Sequence, residues 1–117
     1  MQSKNDNAKQ VVLSYIQALD KNEYKIAEGY LNKSIQIRGP SGEVFSNPAD
    51  FIGMLQKHRG KYDVKKVFVD GDDVCLFYDF KSGSSVLMCS WYRVSGGKIT
   101  SIQTIFDPRP FASAASE

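Results

Sequence analysis

Histidine and tryptophan each occur once in this 117-residue chain, and cysteine occurs twice. Cys75 and Cys89 form no CxxC pair or other metal-ligand spacing, so no metal site is expected. Lysine and arginine are scattered, and the net charge is only +2. No basic stripe is present to meet phosphates, which argues against a nucleic-acid partner. No apolar run approaches membrane-spanning length, so no membrane partner is expected. Residues 1–7 are polar and lack the apolar centre of a secretory signal, which points to the cytoplasm. Repeats, linkers and a complete catalytic motif are missing as well.

What is present is an ordinary globular balance, 42% hydrophobic and 24% charged. The length suits one domain over residues 1–117, with a core from about residue 8 to 111. Residues 112–117 read as a mobile tail. Residues 64–107 hold strand-like stretches at 64–70, 73–81, 85–94 and 98–107, rich in β-branched and aromatic side chains. Asp70-Gly71-Asp72, Ser82-Gly83 and Ser95-Gly96-Gly97 supply the turn chemistry of antiparallel hairpins.

Upstream, Asp6 or Asn7 can cap a helix running to about residue 19, with Val12, Tyr15, Ile16 and Leu19 on one face. Asp20-Lys21-Asn22-Glu23 reads as a capping box for a short second helix. Residues 34–38 suit a short strand before the Gly39-Pro40-Ser41-Gly42 turn. Asn47-Pro48-Ala49-Asp50 opens a third helix with an N-cap, a proline at the first position and an acid in the first turn. It runs to about Arg59 and stops at Gly60. The expected class is α+β, three N-terminal helices packed on a curved antiparallel sheet.

A two-residue Ser82-Gly83 turn would pair Cys75 with Ser90 and Leu76 with Cys89. One face then presents Cys75, Phe77 and Asp79 with Val86, Met88, Ser90 and Tyr92. The other presents Leu76, Tyr78 and Phe80 with Leu87, Cys89, Trp91 and Arg93. The two sulfurs would point to opposite sides, which argues against a disulfide. Both faces are largely apolar, and helices cover only one. A second copy of the chain packed through Leu76, Tyr78, Phe80, Leu87 and Trp91 is the expected cover, the alternative being the sheet or tail folding over itself.

This layout carries Val11-Val12-Leu13-Ser14-Tyr15-Ile16, the Gly39-Pro40 turn, Trp91-Tyr92-Arg93-Val94 ahead of Gly96-Gly97-Lys98, and the closing Ile105-Phe106-Asp107-Pro108. It resembles the nuclear transport factor 2-like superfamily, the cystatin-like cone fold, and within it the small SnoaL-like and steroid isomerase-like bacterial proteins. The resemblance implies helices and a concave sheet face enclosing an apolar pocket. One such fold hosts isomerases, cyclases, hydratases, epoxide hydrolases and non-catalytic modules, so it does not choose among them. By position, the steroid isomerases' tyrosine donor matches Tyr15. Their general-base aspartate falls at Gly39 and their second, acidic donor at Ser90. Glycine cannot move a proton, which excludes that specific activity. The epoxide hydrolase arrangement would need Asp79, Arg93 and Asp107, and Arg93 falls on the outer face.

Asp79, Tyr15 and His58 are therefore the candidate catalytic residues. Asp79 on the pocket face would have a raised pKa, or else sits solvated near Lys81. His58, the one histidine, either titrates as an acid or base or packs at a helix C-terminus. Tyr15 is a ligand donor or a core tyrosine. Ser90, Thr104, Phe51, Met54, Phe77, Met88, Tyr92 and Phe106 are the expected ligand-binding lining. Asp107 turns outward if a glycine bulge at Gly96-Gly97 sends Ile102, Thr104 and Phe106 inward. The expected function is binding of a small, partly apolar organic molecule. It extends either to cofactor-independent isomerase- or cyclase-like catalysis or to a non-catalytic binding or dimeric assembly role.

Overall fold

The computed structural model describes residues 4–109. The tail expected at 112–117 lies outside the described residues. Helix α1 spans Lys4–Asp20, α2 Tyr24–Gly29 and α3 Pro48–Lys57. Strands β1 (Leu31–Arg38) and β2 (Val44–Phe45) precede α3, and β3 (Lys61–Asp70), β4 (Asp73–Ser82), β5 (Ser84–Ser95) and β6 (Lys98–Phe106) follow it. They form one sheet in the order β2-β1-β6-β5-β4-β3.

The sheet is mixed, not purely antiparallel. Strand β1 runs parallel to β6, with Ile37 beside Ile102, and antiparallel to the short β2. The expected strand at 34–38 begins earlier because the Tyr30 carbonyl accepts from the Ile99 amide, which anchors the start of β1 on β6. From β3 onward the sheet is an antiparallel meander, as the turn signals require.

Helix α1 forms because Ala8, Val12, Tyr15, Ile16 and Leu19 recur at helical spacing, and all are buried. Its end differs from the expected capping box. Glu23 N donates to the Ala18 carbonyl and Asn22 N to that of Leu19, with Asn22 at φ 61°. That is a Schellman closure of α1, with asparagine taking the left-handed position. Glu23 precedes α2 without a side-chain cap bond. At α3 the expected cap forms: the Asn47 side chain accepts from Asp50 N at 2.9 Å, and Pro48 occupies the first turn.

Two irregularities interrupt the meander. One lies in β3 between Val64 and Lys66, the other at Arg93/Val94 beside Gly96 and Gly97, both at positive φ. The second sets Met88 opposite Phe106, Ser90 opposite Thr104 and Tyr92 opposite Ile102. Ile102, Thr104 and Phe106 thus face inward, as the apolar pattern requires.

The β4–β5 register corrects the sequence reading. The turn centres on Gly83 (φ 82°), so Ser82 opposes Ser84, Leu76 opposes Ser90 and Tyr78 opposes Met88. This is one residue off a two-residue turn, and a one-residue slip exchanges the faces of a whole strand. Leu76, Tyr78 and Phe80 therefore face the helices rather than a partner chain. Cys75, Phe77 and Asp79 lie on the outer face with Leu87, Cys89 and Trp91. The two cysteines share that face as diagonal neighbours, each a free thiol. No helix among the described residues is long and apolar enough to cross a membrane.

Candidate functional site

The concave face of the sheet and helices α1 and α3 enclose a cavity of about 310 Å³. Helix α1 contributes Tyr15, Ile16 and Leu19, and α3 contributes Phe51, Met54 and Leu55, with His58 as its C-cap. The meander supplies Tyr62, Tyr78, Phe80, Met88, Ser90, Tyr92, Ile102 and Thr104. Exposed Pro40, Glu43 and His58 mark its mouth, with Gly39 beside them.

A chain of hydroxyls crosses the floor. Tyr78 Oη and Ser90 Oγ lie 2.9 Å apart, and Ser90 Oγ lies 2.8 Å from Thr104 Oγ1. The alignment follows from the register, which stacks Leu76, Ser90 and Thr104 across three strands. Ser90 is buried yet satisfied on both sides.

Four tyrosines give the cavity its character. Tyr15, 1% exposed, packs edge-on to Tyr92 at 6.1 Å between ring centres. Tyr62 lies 5.7 Å from Tyr78 and 5.2 Å from Phe80. Burial pushes all four phenols above their ordinary value, and for Tyr15, Tyr62 and Tyr92 the neighbouring phenols add to it. Tyr78 reaches about 12, although its bond to Ser90 pulls it the other way. All four are neutral at physiological pH, so they donate hydrogen bonds and do not act as bases. Among the described residues, no hydrogen-bond partner meets the Tyr15 hydroxyl, while no fully enclosed side-chain polar atom is left unsatisfied. The Tyr15 hydroxyl therefore abuts the cavity space.

The cavity brings together Tyr15, His58, Phe51, Met54, Met88, Ser90, Tyr92 and Thr104 from the expected set. It does not include Asp79 or Phe77, because the slipped register places both outside. Asp79 opposes Leu87 on one side and Asp63 on the other, and Lys65 Nζ lies 3.8 Å from its carboxylate. Lys65 also pairs with Asp63 at 2.8 Å, so one ammonium screens two facing acids. Phe106 faces inward opposite Met88 but lies beyond the lining. Asp107 is held by Arg109, whose hydrogen bonds keep its carboxyl below the usual range. Arg93 pairs with Asp73 on the outer face at 3.1 Å, so no Asp–Arg–Asp arrangement closes in the cavity.

Tyr62, Tyr78, Phe80 and Glu43 line the cavity without having been expected there. Tyr78 and Phe80 were hidden by the assumed turn, and Tyr62 lies ahead of the apolar run at residue 64. Glu43 had a legible signal in its spacing from Gly39 across a tight turn, which makes the two opposed positions of a hairpin. No group of three or more histidine, cysteine, aspartate or glutamate side chains gathers to hold a metal among the described residues.

No protein-family model matches the sequence, and no functionally curated protein does. Solved structures do. A nuclear transport factor 2-like protein of unknown function from Cytophaga hutchinsonii is 33% identical, with a TM-score of 0.83 over 90% of this chain and 94% of that one. A candidate polyketide cyclase from Xanthomonas campestris pv. campestris is 16% identical, with a TM-score of 0.84 over 95% and 98%. An LEH-like epoxide hydrolase from M. tuberculosis is also 16% identical, with a TM-score of 0.82 over 97% and 87%. At such identities the last two share the fold and no more. With the cone of helices on a curved sheet and a relative one-third identical along nearly its whole length, the chain belongs to the nuclear transport factor 2-like superfamily.

Proposed function

We propose that the cavity binds a small, partly apolar organic molecule carrying a carbonyl or hydroxyl oxygen, and that no cofactor takes part. The buried Tyr15 hydroxyl, unmatched by any described residue and set among three more neutral phenols, carries this reading. A phenol donor that opens onto the cavity is available to an acceptor entering it. The volume of about 310 Å³ falls in the range of small-molecule sites. Relatives sharing the fold include a candidate cyclase and an epoxide hydrolase, which supports an isomerase- or cyclase-like extension. The alternative is a non-catalytic binding or assembly module. It draws support from Gly39 and Ser90, which stand where steroid isomerases carry a base and an acid. On the outer face, exposed Phe68, Phe77, Leu87, Trp91 and Ile105 support pairing with a second copy of the chain. The two free thiols suit a reducing compartment such as the cytoplasm.

The test uses β-tetralone, a bicyclic ketone whose carbonyl lies one carbon from a fused benzene ring, as the probe. Tyr15→Phe is expected to weaken its binding about tenfold. Folding stability should stay within about 0.5 kcal/mol, since the hydroxyl bonds no described residue. Equal affinity in both proteins, or no saturable binding to either, contradicts the reading.

A further inference from the structure

Strand β3 is an edge of the sheet, with β4 on one side and no strand among the described residues on the other. An open edge offers unpaired N–H and C=O groups, and the first half of this one is guarded. The Tyr62 amide donates to Asp20 Oδ1 at 2.9 Å, and Lys61 Nζ donates to the Asp20 carbonyl. Lys65 is then the extra residue of the bulge between Val64 and Lys66. The second half, 66–70, carries no such guard. Because the Tyr62 amide points off the edge, alternation along an antiparallel ladder sends the main-chain groups of Val64 off it too. The bulge keeps that alternation in step with β4, since it places Lys66 opposite Phe77. Val67 and Val69, opposite Leu76 and Val74, therefore turn N–H and C=O away from β4. Their side chains lie on the inner face with buried Leu76 and Val74, which leaves Lys66, Phe68 and Asp70 on the outer face. Phe68 is 55% exposed, and neither Lys66 nor Asp70 has an ion-pair partner among the described residues.

We infer that residues 66–70 of β3 pair antiparallel with the same residues of a second copy of the chain, about a two-fold axis at Phe68. Such a contact needs a strand that complements itself when read backwards, and this stretch does. With Phe68 on the axis, Val67 of each copy opposes Val69 of the other, and the two exchange hydrogen bonds through the groups that point off the edge. Lys66 of each copy opposes Asp70 of the other on the outer face, and the two Phe68 rings meet between these pairs. An axis at Val67 would set Lys66 against Phe68, and one at Val69 would set Phe68 against Asp70. Only the Phe68 axis matches both charge and ring. The pairing joins two six-stranded sheets into one and is separate from the covering of the outer face proposed above. It is a small contact of the weak class, formed at about millimolar protein and dissociated at about ten micromolar.

The test is a dilution series of the isotope-labelled wild type from about 1 mM to about 20 µM, read amide by amide in NMR. The Val67 and Val69 amides should shift saturably with concentration and exchange with water about tenfold more slowly at the concentrated end. Lys66→Asp sets acid against acid and Asp70→Lys sets base against base, so each should weaken the association about tenfold. An equal mixture of these two variants puts opposite charges back at both ends of the paired strands and should return the wild-type response. Lys66→Asp/Asp70→Lys should do the same at unchanged net charge. A structural role for either residue would give no such rescue. Should a single variant lose its folded spectrum, Phe68→Asp replaces it, with two acids meeting on the axis: loss of the response supports the pairing, and an unchanged response overturns it. Val67 and Val69 amides indifferent to dilution, single variants that associate as well as the wild type, or a concentration response confined to Trp91 and Ile105 would each overturn the inference.

Discussion

Tyr78 and Asp79 are adjacent in the chain and lie on opposite surfaces of the sheet, one in the cavity and one beside Lys65. Which goes inside is decided at Gly83, where positive φ lets a single residue sit between the paired Ser82 and Ser84. Sequence alone presents two adjacent serines and a glycine, which fit a two-residue turn equally well, and both faces of β4 are apolar enough to accept either register. The two-residue turn puts Asp79 and Phe77 inside, and the one-residue turn puts Tyr78 and Phe80 there instead. At β5–β6 the glycine pair and the strict inward run of Ile102, Thr104 and Phe106 left one consistent solution, and it is the one adopted. The consequence at Asp79 is direct. Asp79→Asn should leave β-tetralone affinity unchanged and shift stability by no more than about 0.5 kcal/mol in urea denaturation. Removing one of two facing acids also eases their repulsion, which offsets the lost attraction to Lys65. Weakened binding in this variant would place Asp79 back at the site.

Among the elements, local chemistry was legible and distant pairing was not. The meander strands lie within a few residues of the turn-bounded stretches, because glycine turns and β-branched runs act over short range. The parallel partnership of β1 with β6 joins segments far apart in sequence, and the two-residue β2 is too short to show a period. Asp20 illustrates how tertiary contacts redirect a local signal. Its carboxylate accepts from the Tyr62 amide and its carbonyl from Lys61 Nζ, tying the end of α1 to β3 instead of starting α2. The cap of α3 obeyed its local signal, and its contribution is measurable. Asn47→Ala removes the acceptor for Asp50 N and should cost about 1 kcal/mol in urea denaturation. A loss near zero would mean that Pro48 and packing of Phe51 and Ile52 hold the helix start unaided.

For the whole molecule, one face of the sheet builds the cavity and the other stays exposed, with Trp91 at 45% and Ile105 at 62%. If a second copy covers that face, the wild type sediments as a dimer and Leu87→Lys/Ile105→Lys as a folded monomer. A monomeric wild type contradicts the pairing. The tyrosine cluster sets the response to alkali. In the unfolded chain the phenols ionise near pH 10, whereas the folded chain still holds their protons. Above that pH the unfolded state binds fewer protons, so stability falls as pH rises and is fully present below it. The expected slope is on the order of a few kcal/mol per pH unit. Urea denaturation on either side of pH 10 reads it. A flat profile would mean that the phenols are solvated in the folded protein.

The most direct measurement is a titration of the isotope-labelled wild type with β-tetralone, followed residue by residue by NMR. The account predicts saturable shifts centred on Tyr15, Met88, Ser90 and Thr104, with Phe77, Trp91 and Ile105 unmoved. Shifts confined to those outer-face residues, or none at all, would contradict a ligand site inside the cone.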